Sequence, residues 1–298
     1  MAQSTNSFRT TSLTENDRDL TTEWQSLGQC LFTRGSSPVL VGRGEPLPYG
    51  RHDDGWAKPS GMETKSISYD FAGTEMIGYL ALPDKTGPRP GVLVSHEGPG
   101  LDVHAKSKAD RLAALGYVAF ALDYHGGGQR MADMAAMIAK LGTLRDDPQA
   151  IRALGKVGLA VLLEQPQVDP TRVAAIGYCF GGTMSLELAR AGVDLKAAIG
   201  FHSGLGTARP EDAANITAKV LVCIGADDPM IPIEQRSAFE AEMRAGKVDW
   251  QMNVYGGAAH SFTNPNASQM GMPGVEYHQL TDERSWQAML DLFAEVGM

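Results

Sequence analysis

The stretch Gly177-Tyr178-Cys179-Phe180-Gly181-Gly182 has the residue types of a sharp strand-to-helix turn that presents a nucleophile. It follows the apolar run Val173-Ala-Ala-Ile176 and opens a helical pattern at Gly181. Glycines two before and two after Cys179 have a steric purpose, because side chains there would collide with neighbouring backbone in a strained turn. No serine in the chain has this setting. The chemistry is therefore that of a thiolate attacking a carbonyl, its charge stabilised by a helix N-terminus. The position at a strand end, ahead of a helix, favours this over a buried structural thiol.

Such a thiol needs a base, and two further loops supply its parts. Gly225-Ala226-Asp227-Asp228-Pro229-Met230-Ile231-Pro232 follows an apolar run at 220–224, and Gly256-Gly257-Ala258-Ala259-His260-Ser261-Phe262 follows another at 251–255. His260 would take the thiol proton and return it to the leaving group, while Asp227 or Asp228 fixes its tautomer. Of the other histidines, His202 precedes the acid loop and is instead a candidate pocket residue, and His278 stands just before the last helix. The order nucleophile, acid, histidine is that of the α/β-hydrolases. An oxyanion hole would use the backbone N–H groups of Phe180 and of Gly98, in the loop after the third strand. His125-Gly126-Gly127-Gly128 is also glycine-rich, but it follows one strand too late and reads as a turn into a cap segment.

The elements that must position these groups alternate regularly from about Met62 onward. Residues 64–69 and 75–82 read as an antiparallel hairpin at a sheet edge. Runs at 91–95, 118–122, 173–176, 197–199, 220–224 and 251–255 read as strands covered on both faces. Helical patterns are expected near 106–115, 149–163, 181–191, 233–245 and 281–296, the last capped at Thr281. The fold class is α/β: a mostly parallel central sheet flanked by helices, as in the α/β-hydrolase fold, with an N-terminal extension.

Glu97, Gly177-Tyr-Cys179-Phe-Gly-Gly, Asp228-Pro-Met-Ile-Pro and His260-Ser-Phe together resemble the dienelactone hydrolase family, a cysteine-using branch of that fold. The resemblance spans residue 62 to the C-terminus. It implies a triad of Cys179, Asp228 and His260, with Asp228 chosen over Asp227 by its spacing to the Ile-Pro pair. It also implies that Glu97 pairs with the resting thiol until substrate displaces it. The family's prototype carries, shortly after its histidine, an arginine that grips a substrate carboxylate; Asn264 stands there in this chain. Tyr124, His202, Phe262 and Arg130 are the candidate substrate-binding residues, and Arg145 is a further possible cation. A cap segment at 126–145 carries Met131, Met134 and Met137, and a later loop Met270 and Met272. If several of these methionines face Cys179, an apolar acyl group suits the site.

Length and composition limit the alternatives. The chain has 298 residues, 43% of them hydrophobic and 20% charged, which describes a globular protein of one or two domains. A net charge of −9 and the lack of a basic stripe exclude nucleic acid as an expected partner. No run of about 18 apolar residues exists to span a membrane, and the polar N-terminus lacks a secretory pattern, so a cytoplasmic location is expected. Three cysteines, Cys30, Cys179 and Cys223, lack metal-site spacing and argue against a disulfide framework. No metal or organic cofactor is implied. Residues 1–61 read as an extension with one amphipathic helix at 15–32, and 62–298 as the catalytic domain. The expected function is hydrolysis of a small-molecule ester or lactone through an acyl-enzyme. Acyl transfer or thioester cleavage uses the same residues, and a noncatalytic ligand-binding or redox-responsive protein on the same fold is the alternative of another class.

Overall fold

The computed structural model describes residues 61–298. The expected N-terminal helix, the extension containing it and Cys30 lie outside the described residues. Polar and apolar residues alternate on either side of Ala72 and Gly73, whose φ values of 51° and 79° make a tight reversal. The result is a hairpin of β1 (Glu63–Phe71) and β2 (Thr74–Leu82), in register from Glu63 opposite Leu82 to Phe71 opposite Thr74.

Six further strands complete one sheet: β3 (Arg89–Ser95), β4 (Val118–Leu122), β5 (Val168–Tyr178), β6 (Ala197–Phe201), β7 (Lys219–Gly225) and β8 (Trp250–Tyr255). Their order is β1-β2-β4-β3-β5-β6-β7-β8, with β2 antiparallel to β4 and every pairing from β4 to β8 parallel. This is the expected mostly parallel sheet of an α/β-hydrolase fold. β3 to β7 are apolar runs because helices cover both faces. Leu112 of α1 (Val103–Leu115) and Trp286 and Phe293 of α6 (Gln279–Glu295) share one core with Val92, Ile176 and Ile199. Ile151 and Leu154 of α3 (Pro148–Leu163) and Leu188 of α4 (Phe180–Arg190) share another with Leu93, Phe120 and Ala175. α5 (Ile233–Gly246) packs Phe239 and Met243 against Val220 and Val222. The parallel strands all point one way, so the loops after β3, β5, β7 and β8 leave the sheet at the same end.

Three details differ from expectation. The cap segment contains a full helix, α2 (Met134–Asp146), started by Asp133, whose carboxylate accepts the N–H groups of Ala135 and Ala136. Only Met137, Leu141 and Leu144 of it are buried, so its pattern is weak in sequence. β8 is an edge strand with exposed residues at Gln251 and Val254 and the rest only partly buried, where burial on both faces was expected. α6 begins at Gln279, and the ring Nδ1 of His278 accepts the Thr281 N–H, so Thr281 is in the first turn and His278 is the cap. Among the described residues no helix is long and apolar enough to cross a membrane.

Candidate active site

The turn between β5 and α4 is tight enough that its glycines have no substitute. A Cβ on Gly177 would lie 2.0 Å from the Gly181 carbonyl oxygen, and one on Gly181 would lie 2.2 Å from that of Ser95. Between them Cys179 is held at φ 53° and ψ −121°, a conformation that L-residues rarely adopt, and only the surrounding packing keeps it there. Its thiol is partly exposed and lines a cavity, and α4 starts at the next residue, so the positive end of the helix lies against the sulfur. Cys223, by contrast, is buried on β7, and burial pushes its thiol up to about 12.

Two loops meet beside the sulfur. Asp228 is buried and Asp227 exposed, which decides between them. Asp228 Oδ1 accepts the Met230 N–H at 2.8 Å and so shapes its own loop, while Oδ2 is 2.7 Å from His260 Nδ1. His260 is buried, and its loop is pinned on both sides: its N–H donates to the Gly274 carbonyl at 2.9 Å, and its carbonyl accepts from Glu276 at 3.0 Å. Since the carboxylate accepts from Nδ1, Nε2 is the nitrogen left to exchange a proton with the Cys179 sulfur, and it is buried with no other hydrogen-bond partner. Burial opposes charge on this ring, yet the adjacent Cys179 sulfur and the Asp228 carboxylate hold its pKa well above the ordinary range.

Glu97 and Gly98 both line the cavity. Glu97 makes no hydrogen bond to Cys179; its Oε2 accepts instead from the buried Asn264 amide. Burial raises the Glu97 pKa, against hydrogen bonds from Ser261 and Asn264 that lower it. Phe180 also lines the cavity, so both residues expected to form the oxyanion hole, Gly98 and Phe180, share it with Cys179. The Gly98 loop is fastened from behind: His125 Nε2 donates to the Gly98 carbonyl at 2.7 Å, and the Tyr124 hydroxyl donates to the Glu97 carbonyl at 3.0 Å. The triple glycine is a turn, as expected, wrapped so that the N–H groups of His125, Gly126 and Gly128 reach the Asp123 carboxylate.

The four candidate substrate-binding residues are not in the cavity wall. Tyr124 is fully buried behind the Gly98 loop. His202 is fully buried beneath Cys179, with Nε2 2.8 Å from Thr263 Oγ1. Phe262 points into the opposite core, edge-on to His202 at 5.0 Å. Arg130 is exposed, 3.7 Å from Asp102. Gly204, two residues after His202, and Ser261, next to Phe262, line the cavity, whereas no sequence neighbour of Tyr124 or Arg130 does. The wall is formed instead by α2, which contributes Met134, Met137, Ile138 and Leu141, and by Met230, Met270 and Met272 from the later loops. Thr263 was missed; a hydroxyl three residues after a candidate base carries no signal of its own. Among the described residues no three His, Cys, Asp or Glu side chains gather as a metal site.

Comparison with known proteins identifies the family. The sequence model of the dienelactone hydrolase family matches residues 76–297. The "putative carboxymethylenebutenolidase" of Salmonella typhimurium is 30% identical over 252 residues, 80% of this chain and 90% of that protein. "Protein usf" of Aquifex pyrophilus is 28% identical over 77% of this chain and 97% of its own length. Among solved structures, "m3DLH" superposes with a TM-score of 0.77 at 47% identity, covering 79% of this chain and 99% of that one. A dienelactone hydrolase-like promiscuous phosphotriesterase, P91, from metagenomic libraries gives 0.75 at 43% identity, with the same coverages. The chain therefore belongs to the dienelactone hydrolase family and is a hydrolase of the ester and lactone class.

Proposed function

We propose that the chain cleaves carboxylic esters or lactones through an acyl-enzyme formed on Cys179, with His260 as general base and acid and Asp228 as its anchor. The sulfur attacks the carbonyl carbon while His260 Nε2 accepts the thiol proton. The oxyanion that forms is met by the N–H groups of Gly98 and Phe180. As the tetrahedral intermediate collapses, the C–O bond to the leaving alcohol breaks and the imidazolium returns the proton to that oxygen. Water then attacks the thioester, His260 accepts its proton, and the carboxylic acid leaves with Cys179 regenerated. Asp228, at 2.7 Å, keeps Nε2 as the basic nitrogen throughout.

The observation that carries this reading is the unpartnered, buried Nε2 of His260 beside a strained Cys179 at the head of α4. Electrospray mass spectrometry after mixing with p-nitrophenyl acetate tests it. One acetyl group on Cys179, forming and then hydrolysing, is expected, and Cys179→Ala abolishes both adduct and turnover. Undiminished turnover in that variant overturns the reading and favours the noncatalytic thiol. The name of the P91 relative favours a second substrate class for the same sulfur, uncharged phosphotriesters; release of nitrophenol from a dialkyl nitrophenyl phosphate, absent in Cys179→Ala, tests it.

A further inference from the structure

The cavity above Cys179 has a volume of about 700 Å³, which falls within the range that encloses a drug-sized ligand. Five methionines line it, Met134 and Met137 from α2 and Met230, Met270 and Met272 from the loops after β7 and β8. Ile138, Leu141, Ile231 and Val275 fill the wall between them. Flexible thioethers on both sides of the sulfur make a surface that adapts to apolar groups of different shape.

The charges in this wall do not suit an anion. Asn264 stands near the position where the prototype's arginine grips a carboxylate, but its amide is buried and donates to Glu97. Arg145 is the one lysine or arginine among the lining residues. It is exposed in the last turn of α2, and Asp146, its neighbour, lines the cavity too. Glu97 is buried and lines the cavity as well, and an acidic side chain offers a substrate carboxylate no positive partner. An anionic acyl chain would therefore lose its hydration with only the exposed Arg145, at the far end of α2, to meet its charge, which is costly.

We propose that the site is specific for uncharged esters with bulky apolar groups, and that α2, through Met134, Met137, Ile138 and Leu141, is the element that sets this preference. The inference rests on the acyl-enzyme reading above and names its substrate class.

The test compares p-nitrophenyl esters by kcat/KM. For the wild type, butyrate is expected to exceed acetate by about tenfold or more, the value of added methylenes in an apolar pocket. The methyl ester of p-nitrophenyl hemiglutarate is expected to exceed the free hemiglutarate, of nearly equal length but charged, by about a hundredfold. Ile138 is 56% exposed, so Ile138→Lys leaves folding intact and is expected to narrow that second ratio by about tenfold. A hemiglutarate turned over as well as its methyl ester, or a ratio unmoved by Ile138→Lys, overturns the inference. If acetate turnover still requires Cys179, the acyl-enzyme reading survives that result. Turnover that persists in Cys179→Ala, or no turnover of any ester, overturns the reading and the inference with it.

Discussion

The backbone N–H of Cys179 is shared between the carbonyl oxygen of Phe201, at 3.0 Å, and the imidazole Nδ1 of His202, at 3.2 Å. A backbone N–H can only donate, so Nδ1 must accept, and the ring's proton is on Nε2, where it donates to Thr263 Oγ1 at 2.8 Å. Thr263 Oγ1 in turn lies 3.2 Å from His104 Nε2. The strained elbow is thus tied to the loop that carries His260 through a neutral histidine, and His202 itself has φ 40°, as Ser261 has φ 56°. His202 is a positioning residue under this geometry and does not touch substrate.

His202→Phe fills the space but removes both hydrogen bonds. Its kcat should fall by about ten- to a hundredfold with KM changed far less, because a small misplacement of the nucleophile is felt in the transition state. His202→Gln retains an acceptor and a donor and should recover part of the loss. Steady-state kinetics on the two variants checks this, and equal defects in both, or a defect confined to KM, would contradict the assignment.

Asp228→Asn keeps a carbonyl oxygen for the Met230 N–H but no longer fixes the proton on His260 Nδ1. A loss in kcat on the order of 10³ to 10⁴ is expected, with folding retained. Asp227→Asn, on the exposed neighbour, should leave kcat unchanged. Parallel kinetics and thermal melts of the two variants make the comparison.

Gly177→Ala and Gly181→Ala place a methyl group 2.0 Å and 2.2 Å from backbone oxygens, which cannot retreat as side chains can. Each should cost more than about 3 kcal/mol or prevent soluble expression. Gly256→Ala, whose Cβ would meet nothing within 4 Å, is the control. Urea unfolding of the three variants measures the difference.

Stability should fall as the solution is acidified below neutrality. Burial pushes the His96 pKa down to about 3, helped by nearby His125, and burial and His260 push that of His202 well below 6.5. The unfolded chain therefore binds more protons than the folded one, and stability is lost as pH drops from about 6.5 toward the folded values. From about pH 6.5 to 5.5 His96 costs about 1 kcal/mol, and His202 adds to the loss in the same direction. His260 has the opposite sign: its raised pKa contributes stability that is complete below about 6.5 and fades as pH rises through the folded value. A urea midpoint that did not fall between about pH 6.5 and 5.5 would contradict the buried, neutral state of His96 and His202.

Much of this molecule is readable from residue order. The hairpin around Phe71-Ala72-Gly73-Thr74, the apolar strand at 118–122 and the glycines flanking Cys179 carry their structure in local sterics and burial pattern, so β1, β2, β4 and the elbow fall where expected. Where long-range packing decides, residue order is silent. Asp227 and Asp228 are chemically identical, and residue order separates them only through the spacing to the Ile-Pro pair that the family resemblance uses; the turn after β7 buries one against His260 and exposes the other. Asn264 can be seen in sequence as a missing arginine, but not as the donor to Glu97, 167 positions away. Tyr124, His202 and Phe262 lie in the loops that were singled out, yet their side chains support the site from the core, because a residue near a strand end faces cavity or interior according to a rotation of the chain that no local pattern records. The sequence by itself determined the elements and the chemical types at their ends. Which of those side chains meet, and which line the space above the sulfur, was decided only when the sheet brought distant loops to one end.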